Sequence, residues 1–167
     1  MDLTPYIGWI VFLHVLGAFL FVAGHGVSMF VAFRVRAESD RTRMAALLDM
    51  SGVALAVAYV GLLLLLVAGI VGGIVLGSWS RAWIWVALAL FIGIAVAMTP
   101  IGVTYFNRLR LALGQRTRNL KPTDPDPVPA SDEALAALTR ARNPEWLLIL
   151  GGGGFLVILW LMMFKPF

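Results

Sequence analysis

The chain has no cysteine, and only 13% of its 167 residues are charged. Without Cys there are no disulfides, no thiolate nucleophile, no Cys-ligated zinc and no Cys-held iron–sulfur cluster. The scarcity of charge excludes an ordinary water-soluble domain, in which about 25% of residues are Asp, Glu, Lys or Arg. Histidine is scarcer still, with His14 and His25 the only two. Apolar side chains are abundant: 60% of the residues are hydrophobic and the mean hydropathy is +0.90. The lipid bilayer is the expected partner of such a chain.

Four apolar stretches, at roughly 6–33, 52–76, 83–106 and 146–164, are each long enough to cross about 30 Å of hydrocarbon at 1.5 Å per residue. They predict an all-α fold, a polytopic membrane four-helix bundle forming a single membrane domain over residues 1–167. Met1 to Pro5 carries no Lys or Arg, so the first stretch reads as a retained helix rather than a signal peptide. Basic residues gather in two connections. Arg34, Arg36, Arg41 and Arg43 follow the first span, and Arg108, Arg110, Arg116, Arg118, Lys121, Arg140 and Arg142 lie between the third and fourth. Only Arg81 and Lys165 stand on the other side. The positive-inside rule then predicts both termini outside and both connections cytoplasmic, as in a multi-pass protein of the bacterial inner membrane. Topology also accounts for the pI near 10.1, so no nucleic-acid partner is expected.

The long connection, about 107–145, has its own order. Pro122, Pro125, Pro127 and Pro129 favour an extended strap. Ser131 is a natural N-cap, with Asp132 and Glu133 in the first turn, Arg140 and Arg142 in the last, and Asn143-Pro144 as the stop of a short cytoplasmic helix. In the spans, Gly61, Gly69, Gly73 and Gly77 mark a helix-packing face, and Pro100 predicts a kink. The run Gly151 to Gly154 reads as a hinge or a flat surface, and lacks the Lys and Ser/Thr of a phosphate loop. Trp9, Trp79, Trp83, Trp85 and Trp146 read as interfacial anchors. Asp49 reads as a helix-end charge at the headgroups.

His14 and His25 both lie inside the first span. Eleven residues at 100° each come to about 20° past three turns, so they share a face while standing roughly 16 Å apart along the axis. Polar groups in hydrocarbon normally face the bundle interior and carry a task. One option is packing alone, each imidazole hydrogen-bonding a neighbouring helix. Another is axial ligation of haem b, for which Gly17 and Gly24 leave room beside the two rings. Counted from the outer end at 1.5 Å per residue, His25 lies about 27 Å deep, Met98 about 24 Å and Tyr59 about 25 Å, so the three are expected in one layer. His14 has no matching His or Met. A haem there is five-coordinate or completed by a second copy of the chain in a parallel homodimer, so one or two haems per chain, or a haem shared in a dimer, are expected.

The stretch Trp9 to Gly17 around His14, followed by Ala23-Gly24, resembles the opening helix of a group of small bacterial membrane proteins. That group includes the copper-resistance-D-like proteins, the membrane protoporphyrinogen oxidases and integral membrane families of unknown function. The resemblance implies a four-helix membrane bundle and, from the oxidase members, a haem b ligated at His14. The functional expectation is a haem b-binding membrane protein for electron transfer or redox sensing, with a quinone or another redox partner. Any enzymatic activity is expected to be that of a membrane haem-dependent oxidoreductase. The alternatives are a cofactor-free membrane scaffold and a copper-handling membrane protein using Met98 and the histidines. No Ser–His–acid set for hydrolysis is legible.

Overall fold

A computed structural model describes residues 2–166. A short turn at Thr4–Tyr6 leads into α1 (Ile7–Arg36), then α2 (Arg41–Val75), α3 (Ala82–Ala112), α4 (Asp132–Thr139), α5 (Asn143–Leu147) and α6 (Gly154–Phe164). A π-helical turn, Leu148–Gly153, joins α5 to α6. No strand occurs among the described residues. Four helical rods are long and apolar enough to cross a membrane: Thr4–Arg36, Arg41–Val75, Ala82–Ala112 and Asp132–Phe164. The all-α four-span architecture is therefore present. The helices outrun the apolar stretches at the end that carries the Arg-rich connections, here called the basic end; α2, for example, starts at Arg41, where the Asp40 carboxylate caps it by accepting from the Arg43 N–H at 3.0 Å.

Membrane helices gain little by burying apolar surface against each other, so close approach depends on small residues. The antiparallel pair α1–α2 is built on this rule. A Cβ added at Gly17 would stand 2.5 Å from the Leu65 amide nitrogen and 2.8 Å from the Gly61 carbonyl oxygen. One at Gly61 would stand 2.5 Å from the Phe21 nitrogen, and one at Gly24 would strike the Ala54 carbonyl. Backbone lies on backbone along this seam, and a Ser51 hydroxyl donating to the Ser28 hydroxyl at 3.2 Å closes its basic end. The ladder of Gly69, Gly73 and Gly77 does something else. Gly69 receives the His14 ring and Gly73 the Trp79 indole, while Gly77 takes a left-handed φ of 60° that turns the chain towards α3. Of the expected glycine face, only Gly61 lies in the seam.

At the basic end the packing is of the water-driven kind. Val31, Val35, Leu48, Leu109, Leu135 and Leu147 form a buried cluster to which α4 contributes although it is too short to span a bilayer. Arg36 ties this region together. Its guanidinium donates to both Glu145 carboxylate oxygens, at 2.5 and 2.9 Å, and to the carbonyls of Thr139 and Ala141 at 3.1 and 2.5 Å. Bidentate geometry of this kind makes an ion pair directional as well as attractive.

The proline-rich strap folds back on the bundle. Ala130 donates its N–H to the Ala112 carbonyl at 2.9 Å, Arg41 donates to the Ala130 carbonyl at 2.7 Å and to Asp132 at 2.6 Å, and Pro129 packs on Gly114. Ser131 caps α4 as expected, its hydroxyl accepting from the Ala134 N–H at 3.3 Å. Asn143-Pro144 departs from expectation. α4 already stops at Thr139, ahead of Arg140 and Arg142, and Asn143-Pro144 begins α5 instead of ending the short helix, because a proline in the first turn gives up an N–H that has no partner there anyway. Pro100 lies inside α3, which continues from Ala82 to Ala112. Trp83 is also corrected: it is buried, at 7% exposure, with the Lys165 ammonium 5.9 Å from its ring centroid, whereas Trp9 and Trp85 are exposed as interfacial anchors would be.

Candidate functional site

The two histidines of α1 reach different neighbours. His14 faces α2, where its Nδ1–H donates to the Leu65 carbonyl at 2.9 Å. A carbonyl only accepts, so the proton of the uncharged ring sits on Nδ1 and Nε2 keeps its lone pair. Gly69 makes the position possible: a Cβ there would stand 2.9 Å from both Cε1 and Nδ1 of the ring.

His25 faces α3 and the π-helical turn. Its Nε2 is buried and has no hydrogen-bond partner among the described residues. Burying an imidazole nitrogen unpaired costs free energy, and each such atom in a folded protein calls for an explanation. A Cβ added at Gly151 would stand 2.5 Å from His25 Nε2, 3.0 Å from Met98 Cε and 3.1 Å from Met98 Sδ. The nitrogen and the sulfur are therefore no farther apart than the first and last of those distances together. Aromatic rings wall the place. The Phe21 ring stacks on the imidazole with centroids 6.1 Å apart, Phe155 lies at the same centroid distance on a tilted plane, and Phe91 meets Phe21 at 6.3 Å.

Local sequence explains how Gly151 gets there. The π-helical turn covers Leu148–Gly153, and three of its six residues are glycine, so the widened turn can lie flat against the imidazole edge. Single π turns within α-helical rods frequently mark functional positions. The run of glycines is the signal in the sequence; its pairing with His25 required the fold.

The structure sorts the expected site residues. His25 and Met98 come together. Tyr59 does not join them: it is 56% exposed on the outward side of α2, since a shared depth says nothing about which way a helix is turned. Gly17 and Gly24 do not make room beside the histidines either, because both are consumed in the backbone seam with α2. Among the described residues no group of three or more His, Cys, Asp or Glu gathers around a point.

The fit of a haem differs between the two histidines. At His25, Gly151 and Met98 stand directly before Nε2, and a macrocycle lying across that nitrogen would overlap them; the residues there do not fit haem in this packing. At His14 the donor chemistry fits: with Nδ1–H bonded to the Leu65 carbonyl, Nε2 would be the atom that holds the iron.

Two polar centres lie outside the apolar stretches. The Arg36 guanidinium holds the Glu145 carboxyl down to about 2, chiefly through the hydrogen bonds it donates. Asp49 is not the helix-end charge the sequence predicts, because α2 begins at Arg41 and places it two turns inside the helix; there it pairs with Arg110 at 3.1 Å, and Arg110 also donates to the Leu48 carbonyl.

No curated protein and no solved structure matches the chain significantly. A protein-family model does, over residues 9–166, and its description names neither the copper-resistance-D-like nor the protoporphyrinogen-oxidase group. The chain belongs to that family, described as predicted integral membrane protein (DUF2269).

Proposed function

We propose that this is a multi-pass inner-membrane protein that holds a redox-active metal group through its intramembrane histidines, for one-electron transfer or redox sensing. The observation that carries the reading is that both histidines keep a ring nitrogen available inside the apolar spans: His14 through its fixed tautomer, His25 through an Nε2 with no partner. Packing alone accounts for the first ring and leaves the second unexplained. Haem b belongs to His14 in this reading, with Leu65 and Gly69 orienting the imidazole. When bound, haem supplies reversible one-electron chemistry whose potential depends on the axial ligand and its burial. The chain's own part is to fix the ring and to keep it away from water. The orientation that places the Arg-rich connections in the cytoplasm follows from the charge bias.

The scaffold reading finds less support. Most of its glycine ladder is occupied within the chain, Gly61 by the α1–α2 seam and Gly69 and Gly73 by side chains, and the strap is bonded to the bundle.

The test is an air-oxidised and dithionite-reduced absorption spectrum of the full chain purified in detergent, a pyridine haemochrome assay, and elemental analysis for iron and copper. A Soret band lost in His14→Ala, or a stoichiometric metal lost in His25→Gln, is the expected result. A folded protein that stays colourless and metal-free after reconstitution with both haem and copper overturns the reading.

A further inference from the structure

From the place where α1, α3 and the π-helical turn meet, we propose that His25 Nε2 and Met98 Sδ form a two-coordinate site for a bare soft monovalent cation, Cu(I), with Gly151 as the residue that keeps the gap between them open. The proposal rests on the reading that the intramembrane imidazoles take metal, and it concerns a different residue pair from the haem assigned to His14.

The donor set selects the ion. An uncharged imidazole and a thioether are the two ligands, and thioether sulfur favours Cu(I) over the harder divalent ions. The chain has no Cys, and among the described residues no carboxylate cluster gathers there, so the site offers no negative charge to offset a cation in hydrocarbon, where charge is costly. A monovalent ion is the least expensive occupant. The Phe21 and Phe155 rings pack around the imidazole and keep its surroundings apolar.

The geometry allows it. Metal–imidazole and metal–sulfur bonds run about 2.0 and 2.3 Å, so a linear pair separates its donors by roughly 4.3 Å, inside the bound that the Gly151 distances set. Met98 presents both Sδ and Cε to the gap, at 3.1 and 3.0 Å from the Gly151 Cβ position, and its three rotatable side-chain bonds let the sulfur turn inward. A side chain at position 151 would crowd both donors, its Cβ standing 2.5 Å from Nε2 and 3.1 Å from Sδ. The glycine, an odd choice for a helical rod in propensity terms, is required at this point by the site itself.

The experiment titrates full-length protein in nanodiscs with Cu(I), anaerobically and against a competing Cu(I) chelator, with Ag(I) as a redox-inert second probe. One ion per chain is expected, and X-ray absorption should report one nitrogen and one sulfur neighbour. Met98→Leu keeps the side-chain volume and should weaken binding at least tenfold, as should His25→Gln and Gly151→Ala. His14→Ala should leave Cu(I) affinity within twofold. Thermal unfolding of Met98→Leu, expected to match the parent, separates ligand loss from misfolding. Cu(I) affinity unchanged by Met98→Leu, or an ion with no sulfur neighbour, overturns the proposal. Haem bound at His14 with no Cu(I) at His25 also overturns it while leaving the broader redox reading standing; loss of both ends both.

Discussion

The α1–α2 seam and the meeting of α1 with α3 and α6 cross the same bilayer yet are made in opposite ways. Along the seam, glycines bring backbone against backbone, and a Cβ at Gly17 or Gly61 would come within 2.5 Å of a neighbouring amide nitrogen. Across the other contact the backbones stand apart, and Phe21, Phe91, Phe155, Met98 and His25 fill the space. The first arrangement is rigid and leaves no volume for anything else. The second is made by side chains and leaves one buried nitrogen without a hydrogen-bond partner. Glycine at position 151, like Gly69 and Gly73, sharpens the contrast: it leaves space for side-chain atoms instead of admitting a helix backbone.

The most direct way to break the comparison is to place bulk in each region. Gly24→Leu should abolish the folded monomer, because its side chain meets the Ala54 carbonyl and the Ala58 nitrogen, neither of which can move without parting α1 from α2. Gly153→Leu, with nothing within 4 Å of its Cβ position, should fold normally. Size-exclusion profiles and thermal melts compare the two, and equal losses would refute the seam. Phe155→Ala comes next. It should cost well below the about 3–5 kcal/mol of the same change in a water-soluble core, since lipid chains solvate what is exposed. A loss as large as that of Gly24→Leu would make the aromatic contact, and not the seam, the main support.

The basic end supplies a smaller, pH-dependent effect. Glu145 is held down to about 2 from an ordinary 4.5, so the folded state binds fewer protons than the unfolded state between those values. The stability that Glu145 contributes is therefore complete above about pH 4.5 and disappears as the pH falls towards 2. The melting temperature of the parent should exceed that of Glu145→Gln at neutral pH and converge with it across that window; a constant gap would show that Arg36 does not depend on the charge. Smallest of all is Ser51→Ala, which removes one interhelical hydroxyl bond, worth about 0.6 kcal/mol in membrane proteins. Reversible unfolding in mixed micelles would measure it, and a cost several times larger would mean that the seam depends on polar contacts and not on glycine.

Much of this was legible beforehand, for stated reasons. The spans follow from length and hydropathy, and the Ser131 cap from a hydroxyl preceding an acidic first turn. Depth counting paired His25 with Met98 because rise per residue is nearly constant in any helix. The same counting misplaced Tyr59, since depth is independent of rotation about the helix axis and nothing in α2 alone says which side meets α1. Gly17 and Gly24 were assigned to a cofactor for the same reason: a glycine next to a histidine looks like space until the neighbouring backbone is known to fill it. The Arg36 network joins residues more than a hundred positions apart, and no local pattern announces it.

The order of apolar and charged residues by itself determined four stretches fit to cross lipid and a charge gathered mostly at one end, because hydrocarbon excludes charge and requires each span to satisfy its own backbone. Only the tertiary structure decided which glycines touch backbone and which touch side chains, and that one histidine is bonded while the other waits unpaired before a methionine. Those outcomes depend on the rotation and pairing of whole helices, which are settled by packing between them and not by the order of residues along any one.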